Sequence, residues 1–175
     1  MKLKQILLAG VAAGAANMAM AANVITFEGN ILENTCQVEV GGQTSPTITL
    51  PDVGKNAFAQ AGDTAGATPF TVSLTGCTVD PNDSVQVRFI ANKPAGQYLG
   101  IENVVGSATN VVIQLLEGDA AGTAITFTNG IGATSPQTTN AGTASFPLTA
   151  RYRATAVPVD AGTVTAIANY EVIYP

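Results

Sequence analysis

Short runs of alternating apolar and polar residues recur along the chain, a pattern typical of strands with one buried face. The clearest run covers 70–77, where Phe70, Val72 and Leu74 share one side. Further runs lie at 23–32, 36–40, 47–50, 85–91, 110–117, 123–127 and 144–153. Turn residues separate the runs at intervals of about ten residues, and no convincing amphipathic helix appears between them. The pattern therefore predicts an all-β fold, a β-sandwich of short strands.

The segments between these runs are predicted to be connections. Residues 53–60 have an irregular or weakly helical pattern, and 61–69 are rich in Gly, Ala and Thr, which favours a loop. Residues 78–84 and 118–122 have the composition of turns, and 130–142 form a Gly/Thr/Ser-rich loop. No internal repeat or linker divides the chain.

The last run, 164–175, predicts a long strand that reaches the carboxyl end. Its inner face carries Ala166, Ala168, Tyr170, Val172 and Tyr174. A strand with such a face must be paired and covered, because an uncovered one is an open edge that invites other chains. Alternation alone is also compatible with an ordinary strand in a complete sandwich.

The amino-terminal stretch predicts an export signal. Lys2 and Lys4 precede an apolar run over 6–16, and Ala19-Met20-Ala21 provides a cleavage site. Residues 1–21 are therefore a predicted signal peptide. Without its two lysines, 5 basic residues remain against 12 acidic ones, a net charge of about −7. The rest of the chain fits one exported domain.

Composition argues against several functions. An acidic chain without basic clusters is a poor partner for nucleic acid or anionic membranes. The sequence contains no histidine, so it has no Ser-His or Cys-His pair for catalysis and no ready zinc ligand set. We therefore expect no enzyme activity, no cofactor, no metal and no small-molecule substrate.

Cys36 and Cys77 are the cysteines of this chain. In an exported protein a disulfide is the default expectation, with free thiols or a metal site as the alternatives. Closing a loop of about 40 residues would stabilise the fold by roughly 4 kcal/mol.

Three other features have simpler explanations than a binding site. Asp80 and Asp83 flank Pro-Asn and are typical of a turn rather than a calcium loop. The Gly41-Gly42 pair lacks the lysine of a phosphate loop. Arg151 and Arg153 alternate around Tyr152 along a run, which indicates a solvated strand face.

Several motifs together resemble the pilin subunits of chaperone–usher fimbriae, close to the major subunit of type 1 fimbriae. The motifs, in chain order, are Phe27-x-Gly29-x-Ile31 followed by Cys36, the Phe-x-Val-x-Leu-x-x-Cys strand that ends at Cys77, the stretch 108–115, Ala150-Arg-Tyr152, and the terminal Tyr-Glu-Val-Ile-Tyr-Pro. The resemblance spans the chain after the leader.

This resemblance implies an incomplete immunoglobulin-like β-sandwich, completed by a donor strand from another subunit. Residues 22–28 would be the amino-terminal donor-strand extension, and 29–175 the pilin domain. A periplasmic chaperone would lend a strand first. At the outer-membrane usher, the extension of the next subunit would then replace it, which is a form of β-augmentation. The fibre would stand on the cell surface.

Site residues follow from the same resemblance. Asn23, Ile25 and Phe27 match donor positions, while Tyr170, Val172 and Tyr174, with Ala168, match the acceptor groove and chaperone-binding strand. The Pro175 carboxylate matches the group anchored by the chaperone's basic residues. The extension before Phe27 is shorter than in typical members, so either its outer positions bind weakly or cleavage lies upstream, where Met18 and Met20 have the other parity. Residues 23–32 could also form an ordinary first strand, with Gly29 as a bulge.

The sequence thus predicts a structural subunit of an adhesive pilus shaft that polymerises with copies of itself and neighbouring fimbrial subunits. A minor adaptor subunit, or a secreted β-sandwich that binds carbohydrate or host protein, is the alternative.

Overall fold

The computed structural model describes residues 36–78, 84–100 and 106–174. Within these ranges the chain forms two antiparallel sheets, and its one helix is a single 3-10 turn at Lys55–Ala57. The larger sheet contains β1 (Gln37–Val40), β2 (Thr64–Thr75), β4 (Pro94–Ala95), β5 (Tyr98–Leu99), β6 (Val111–Glu117), β7 (Thr123–Ala124) and β10 (Ala144–Ala154). Its strands lie in the order β1-β2-β10-β6-β5-β4, and β7 also pairs with β6. The smaller sheet contains β3 (Ser84–Ala91), β8 (Ile131–Ala133), β9 (Gln137–Thr138) and β11 (Ala168–Ile173), with β8, β9 and β11 all paired to β3.

The core lies between the two sheets, as alternation predicts. Val72 and Leu74 on β2 face Val85 and Val87 on β3, and each of the four side chains is 0% exposed. A second, smaller cluster forms around Phe58, Val111, Ala154 and Val159. The predicted β-sandwich is therefore confirmed, and the described part of the chain contains no helix long and apolar enough to cross a membrane.

The prediction of a loop over 61–69 is wrong from Thr64 onward, because these residues begin β2. Thr64 pairs with Arg153 and Pro69 with Thr149 of β10. The register shifts between Ala150 and Tyr152, and Gly66 lies at this bulge with φ +67°. Glycine tolerates that conformation, so a segment with a loop composition can continue a strand once β10 offers a partner.

Gly66 also makes room for an aromatic ring. A methyl group at this position would stand 2.8 Å from ring carbons of Tyr152. Gly66→Ala is therefore expected to lower the free energy of unfolding by about 2 kcal/mol, from positive φ and from displacement of the ring. Gly76→Ala is the matched control, because Gly76 has φ +65° and open space around it. Urea unfolding of both variants tests this, and equal losses would show that the ring contact contributes nothing.

Other predicted boundaries also change. The predicted loop 130–142 contains β8 and β9, because β3 has an edge on which even a Gly/Thr-rich segment can pair. The predicted strand at 123–127 pairs only over Thr123–Ala124, and the predicted strand at 47–50 has no ladder at all. The terminal strand covers Ala168–Ile173 rather than 164–175. The turn predicted at 78–84 lies mostly outside the described residues.

Candidate functional site

The terminal strand β11 is covered on one side only. It pairs with β3 in the register Tyr170 to Phe89 and Val172 to Val87, and no other described strand pairs with it. Phe89 is 5% exposed and Val87 0%, whereas Tyr170 and Val172 are only half-buried. These residues share one face of adjacent strands, so the difference in exposure comes from what flanks β11. Among the described strands, none lies on its outer side.

The edge strand β1 of the larger sheet shows the same imbalance. It pairs with β2 alone, and Val38 lies opposite Leu74 in that register. Leu74 is completely buried, while Val38 remains half-buried. Thus, in the described part of the chain, each sheet has an edge strand whose inward apolar residues are only half-buried.

Two extended segments lie close in sequence to these edge strands. In 46–50 and again in 164–167, half-buried and exposed residues alternate as in a strand, yet neither segment belongs to a ladder. Ile48 and Leu50 in the first segment, and Val164 and Ala166 in the second, pack against the main core. Strand-like burial without strand pairing is expected where a ladder partner is absent.

We call the space between these edges the open groove. We infer that its lining consists of half-buried apolar residues that contact the core: Val38, Ile48, Leu50, Ala166, Ala168, Tyr170, Val172 and Tyr174. No described strand other than β3 pairs with β11, so the other edge of β11 offers backbone donors and acceptors for a further strand. Such a site suits an extended peptide, which would bond through its backbone and insert alternate side chains.

Tyr170 on β11 and Tyr174, the residue after its end, each bond to the β1 side of the groove. The Tyr170 hydroxyl donates to the Thr44 carbonyl oxygen at 2.6 Å, and the Cys36 amide donates to the Tyr174 hydroxyl oxygen at 2.7 Å. Burial, and then the charge of Glu39, raise the pKa of Tyr170 above its ordinary value. The phenol therefore stays protonated around neutral pH and keeps its donor role.

The disulfide anchors the β1 side of the groove. Cys36 and Cys77 are bonded, with Cα atoms 4.2 Å apart, and they join the residue before β1 to the loop after β2. Gln37, which follows Cys36, pairs in the ladder with Thr75, which is two residues before Cys77. The bond therefore holds β1 against β2 at the same residue that contacts Tyr174.

The outer face of β11 is polar where it meets β3. Glu171 lies directly opposite Arg88 in the register and forms an ion pair with it, including a 2.6 Å hydrogen bond from Arg88 Nε to Glu171 Oε1. A cross-strand pair of opposite charge favours this register. Because register determines which side chains face inward, the pair helps direct Tyr170 and Val172 into the groove.

Ala168, Tyr170, Val172 and Tyr174 all pack against the main core from the terminal strand and the residue after it, and their acceptor role stays a prediction. The predicted donor residues Asn23, Ile25 and Phe27, and also Pro175, lie outside the described residues. Sequence reasoning did not single out Val38, Ile48 and Leu50, which we infer to line the opposite edge. The alternation at 47–50 was the available signal, but alternation does not show which edge a segment borders.

The remaining candidate chemistry has structural roles or lies elsewhere. Arg151 donates to the buried Gln114 side chain at 2.8 Å and to the Ala120 carbonyl at 2.9 Å. The Arg153 guanidinium stacks over Tyr98 at 5.4 Å. No group of three or more potential metal ligands occurs in the ranges described here, and Asp80 and Asp83 lie outside them.

Comparison with known proteins defines the class to which this groove and sandwich belong. Residues 25–175 match the family model described as fimbrial protein. The F17 fimbrial protein of Escherichia coli is 35% identical over 94% of this chain and 95% of its own length. The type-1 fimbrial protein A chain of E. coli K12 is 30% identical over 98% and 94%. In a solved chaperone–usher pilus structure concerned with rod uncoiling, a subunit superposes with a TM-score of 0.60 at 19% identity, covering 92% of this chain and all of that one.

The chain therefore belongs to the fimbrial protein family. It is a structural pilus subunit with the fold of chaperone–usher pilins. Proteins of this type are exported and assembled into extracellular fimbriae.

Proposed function

We propose that this chain builds the shaft of an adhesive fimbria, and that its open groove accepts the amino-terminal segment of another copy. The observation that carries this proposal is the contrast between Val87 and Phe89, which are buried, and their partners Val172 and Tyr170, which are not. One additional strand beside β11 would remove the contrast. Asn23, Ile25 and Phe27 are the proposed donor residues.

A free-energy estimate gives the assembly its direction. Covering about 400 Å² of apolar groove would contribute on the order of 10 kcal/mol at about 25 cal/mol per Å². A lone subunit lacks this contribution, so it is expected to have a low melting temperature and a tendency to aggregate. A periplasmic chaperone would lend a strand until, at the outer-membrane usher, the next subunit replaces it. A better-fitting strand then drives polymerisation without nucleotide.

The proposed role is structural rather than catalytic. The relatives described above are fimbrial subunits, and the groove offers apolar side chains and backbone groups rather than titratable pairs. Its ligand is therefore a polypeptide strand. We propose no small-molecule substrate, cofactor or nucleic acid as a partner.

A peptide-binding experiment tests the proposal. The full chain with Phe27→Asp is exported to the periplasm and purified, because the charge is expected to disable its own donor segment and prevent polymerisation. A synthetic peptide of residues 22–31 should then raise the melting temperature. At a concentration of 100 times the dissociation constant, binding stabilises the fold by about 2.7 kcal/mol.

The control peptide has the same sequence with Ile25 and Phe27 both replaced by Asp, and it should leave the melting temperature unchanged. The wild-type chain should polymerise under the same conditions. A stable Phe27→Asp monomer that ignores both peptides would contradict the proposal, and so would normal fibres formed by this variant.

A further inference from the structure

Two rings cross the open groove from β11 to the opposite edge. Tyr170 lies on β11 and Tyr174 directly follows its end, four residues and therefore about 13 Å further along at roughly 3.3 Å per residue. Both hydroxyls find backbone partners on the β1 side, at Thr44 and Cys36. The lining of the groove is thus tied together at two points along its length.

The two partners flank β1 and lie outside its ladder. Cys36 immediately precedes Gln37–Val40, and Thr44 follows the turn at Gly41-Gly42. Among the described residues, β1 has one ladder neighbour, β2. On the side of β1 that faces the groove, the contacts given by hydrogen bonds come from the Tyr170 and Tyr174 side chains. The hydroxyl bonds consequently secure the segment at both of its ends.

Both bonds start from the inward face of the terminal strand; the Tyr170 bond is exposed and the Tyr174 bond is partly buried. Tyr170 and Tyr174 alternate with the outward-facing Glu171 and Ile173, and Val172 on the same face pairs with the fully buried Val87. No described strand other than β3 pairs with β11. A bracing role for the two hydroxyls requires that a strand paired with the other edge of β11 rests its inward side chains on the rings and leaves both hydrogen bonds in place.

We propose that Tyr170 and Tyr174 are positioning residues that brace the groove at a fixed width and so retain an inserted strand. This inference rests on the proposed function and adds to it how the site is held open. A braced groove is already shaped for its ligand, so less order has to be imposed when the strand binds. Loss of a hydroxyl lets the β1 edge move away and shortens the lifetime of the filled state.

The experiment uses the full Phe27→Asp chain with a fluorescent peptide of residues 22–31, released by an excess of unlabelled peptide. Tyr170→Phe and Tyr174→Phe keep the rings and remove one hydroxyl each. Each is expected to accelerate peptide dissociation roughly fivefold, the usual effect of one hydrogen bond, and the double variant more than tenfold. Tyr98→Phe, on β5, is the matched control and should not change the rate.

A second measurement separates bracing from a general loss of stability. The Cys36 amide is the donor to Tyr174, so its hydrogen exchange in the peptide-filled state should accelerate about tenfold or more in Tyr174→Phe. In Tyr170→Phe and Tyr98→Phe this amide should keep its protection. A uniform acceleration in Tyr170→Phe and Tyr174→Phe would indicate loosened packing and would overturn the bracing role.

The dissociation experiment distinguishes failure of the bracing role from failure of strand acceptance by the groove. Dissociation rates in both hydroxyl variants equal to that of Tyr98→Phe would overturn the braces while leaving strand acceptance intact. Slower dissociation or faster entry would show that the hydroxyls obstruct the groove, which also overturns them. Failure of the parent Phe27→Asp chain to bind the peptide would overturn the proposed function and the braces with it.

Discussion

Replacement of Tyr170 by aspartate is expected to abolish accumulation of the folded subunit. The substitution removes a ring that packs against the core and the hydroxyl that donates to Thr44. It also places a carboxylate among apolar groups and near Glu39, whose charge already acts on Tyr170. Loss of packing and a poorly solvated charge together should cost about 3 kcal/mol or more, a large part of the stability of a small domain.

Asn169→Asp is the matched control, because Asn169 is the adjacent residue of β11 and points to solvent. It introduces the same charge on the opposite face and should leave the subunit close to wild type. Immunoblots of periplasmic extracts and thermal melts of purified chain compare the two variants. Equal amounts and equal melting temperatures of the two variants would contradict the assignment of Tyr170 to the lining of the groove.

Removal of the disulfide should have the second large effect. The bond closes a loop with a sequence separation of 41 residues, and its loss in a Cys36→Ala/Cys77→Ala chain should reduce the free energy of unfolding by about 4 kcal/mol. Because the disulfide joins the residue before β1 to the loop after β2, we expect β1 to loosen first. Urea unfolding measures the loss, and hydrogen exchange locates it.

Thr75→Ala serves as the control for this change, since Thr75 is exposed and pairs with Gln37 beside the disulfide. Its expected effect is below about 0.5 kcal/mol. Protection of the β1 amides should fall in the double-cysteine variant and persist in Thr75→Ala. A loss of less than about 1 kcal/mol in the double variant would show that the ladder between β1 and β2 holds this edge without the bond.

Sequence reasoning succeeded where burial alternates strongly. The strands around Val72, Val85 and Phe146 were predictable because every second residue is apolar and the remainder are polar, so one register alone buries the core. The inner face of β11 was predictable for the same reason. Export and the cysteine pair follow from local composition, which does not depend on tertiary contacts.

The failures occurred where a partner strand determines the conformation. The Gly- and Ala-rich start of β2 is a strand because β10 pairs with it, and β8 forms on β3 despite its loop-like composition. Residues 46–50 show the converse. They have the alternation of a strand but no ladder, because strand pairing requires a neighbour as well as a pattern.

Patterns among neighbouring residues were therefore enough to predict the fold class, the inward face of the terminal strand and its apolar residues. The half-burial of that face, the core packing of Val38, Ile48 and Leu50, and the bonds of the Tyr170 and Tyr174 hydroxyls to the β1 side became visible only with distant segments placed against one another. Periodicity is a property of neighbouring residues, whereas the width of a groove depends on contacts between segments more than one hundred residues apart.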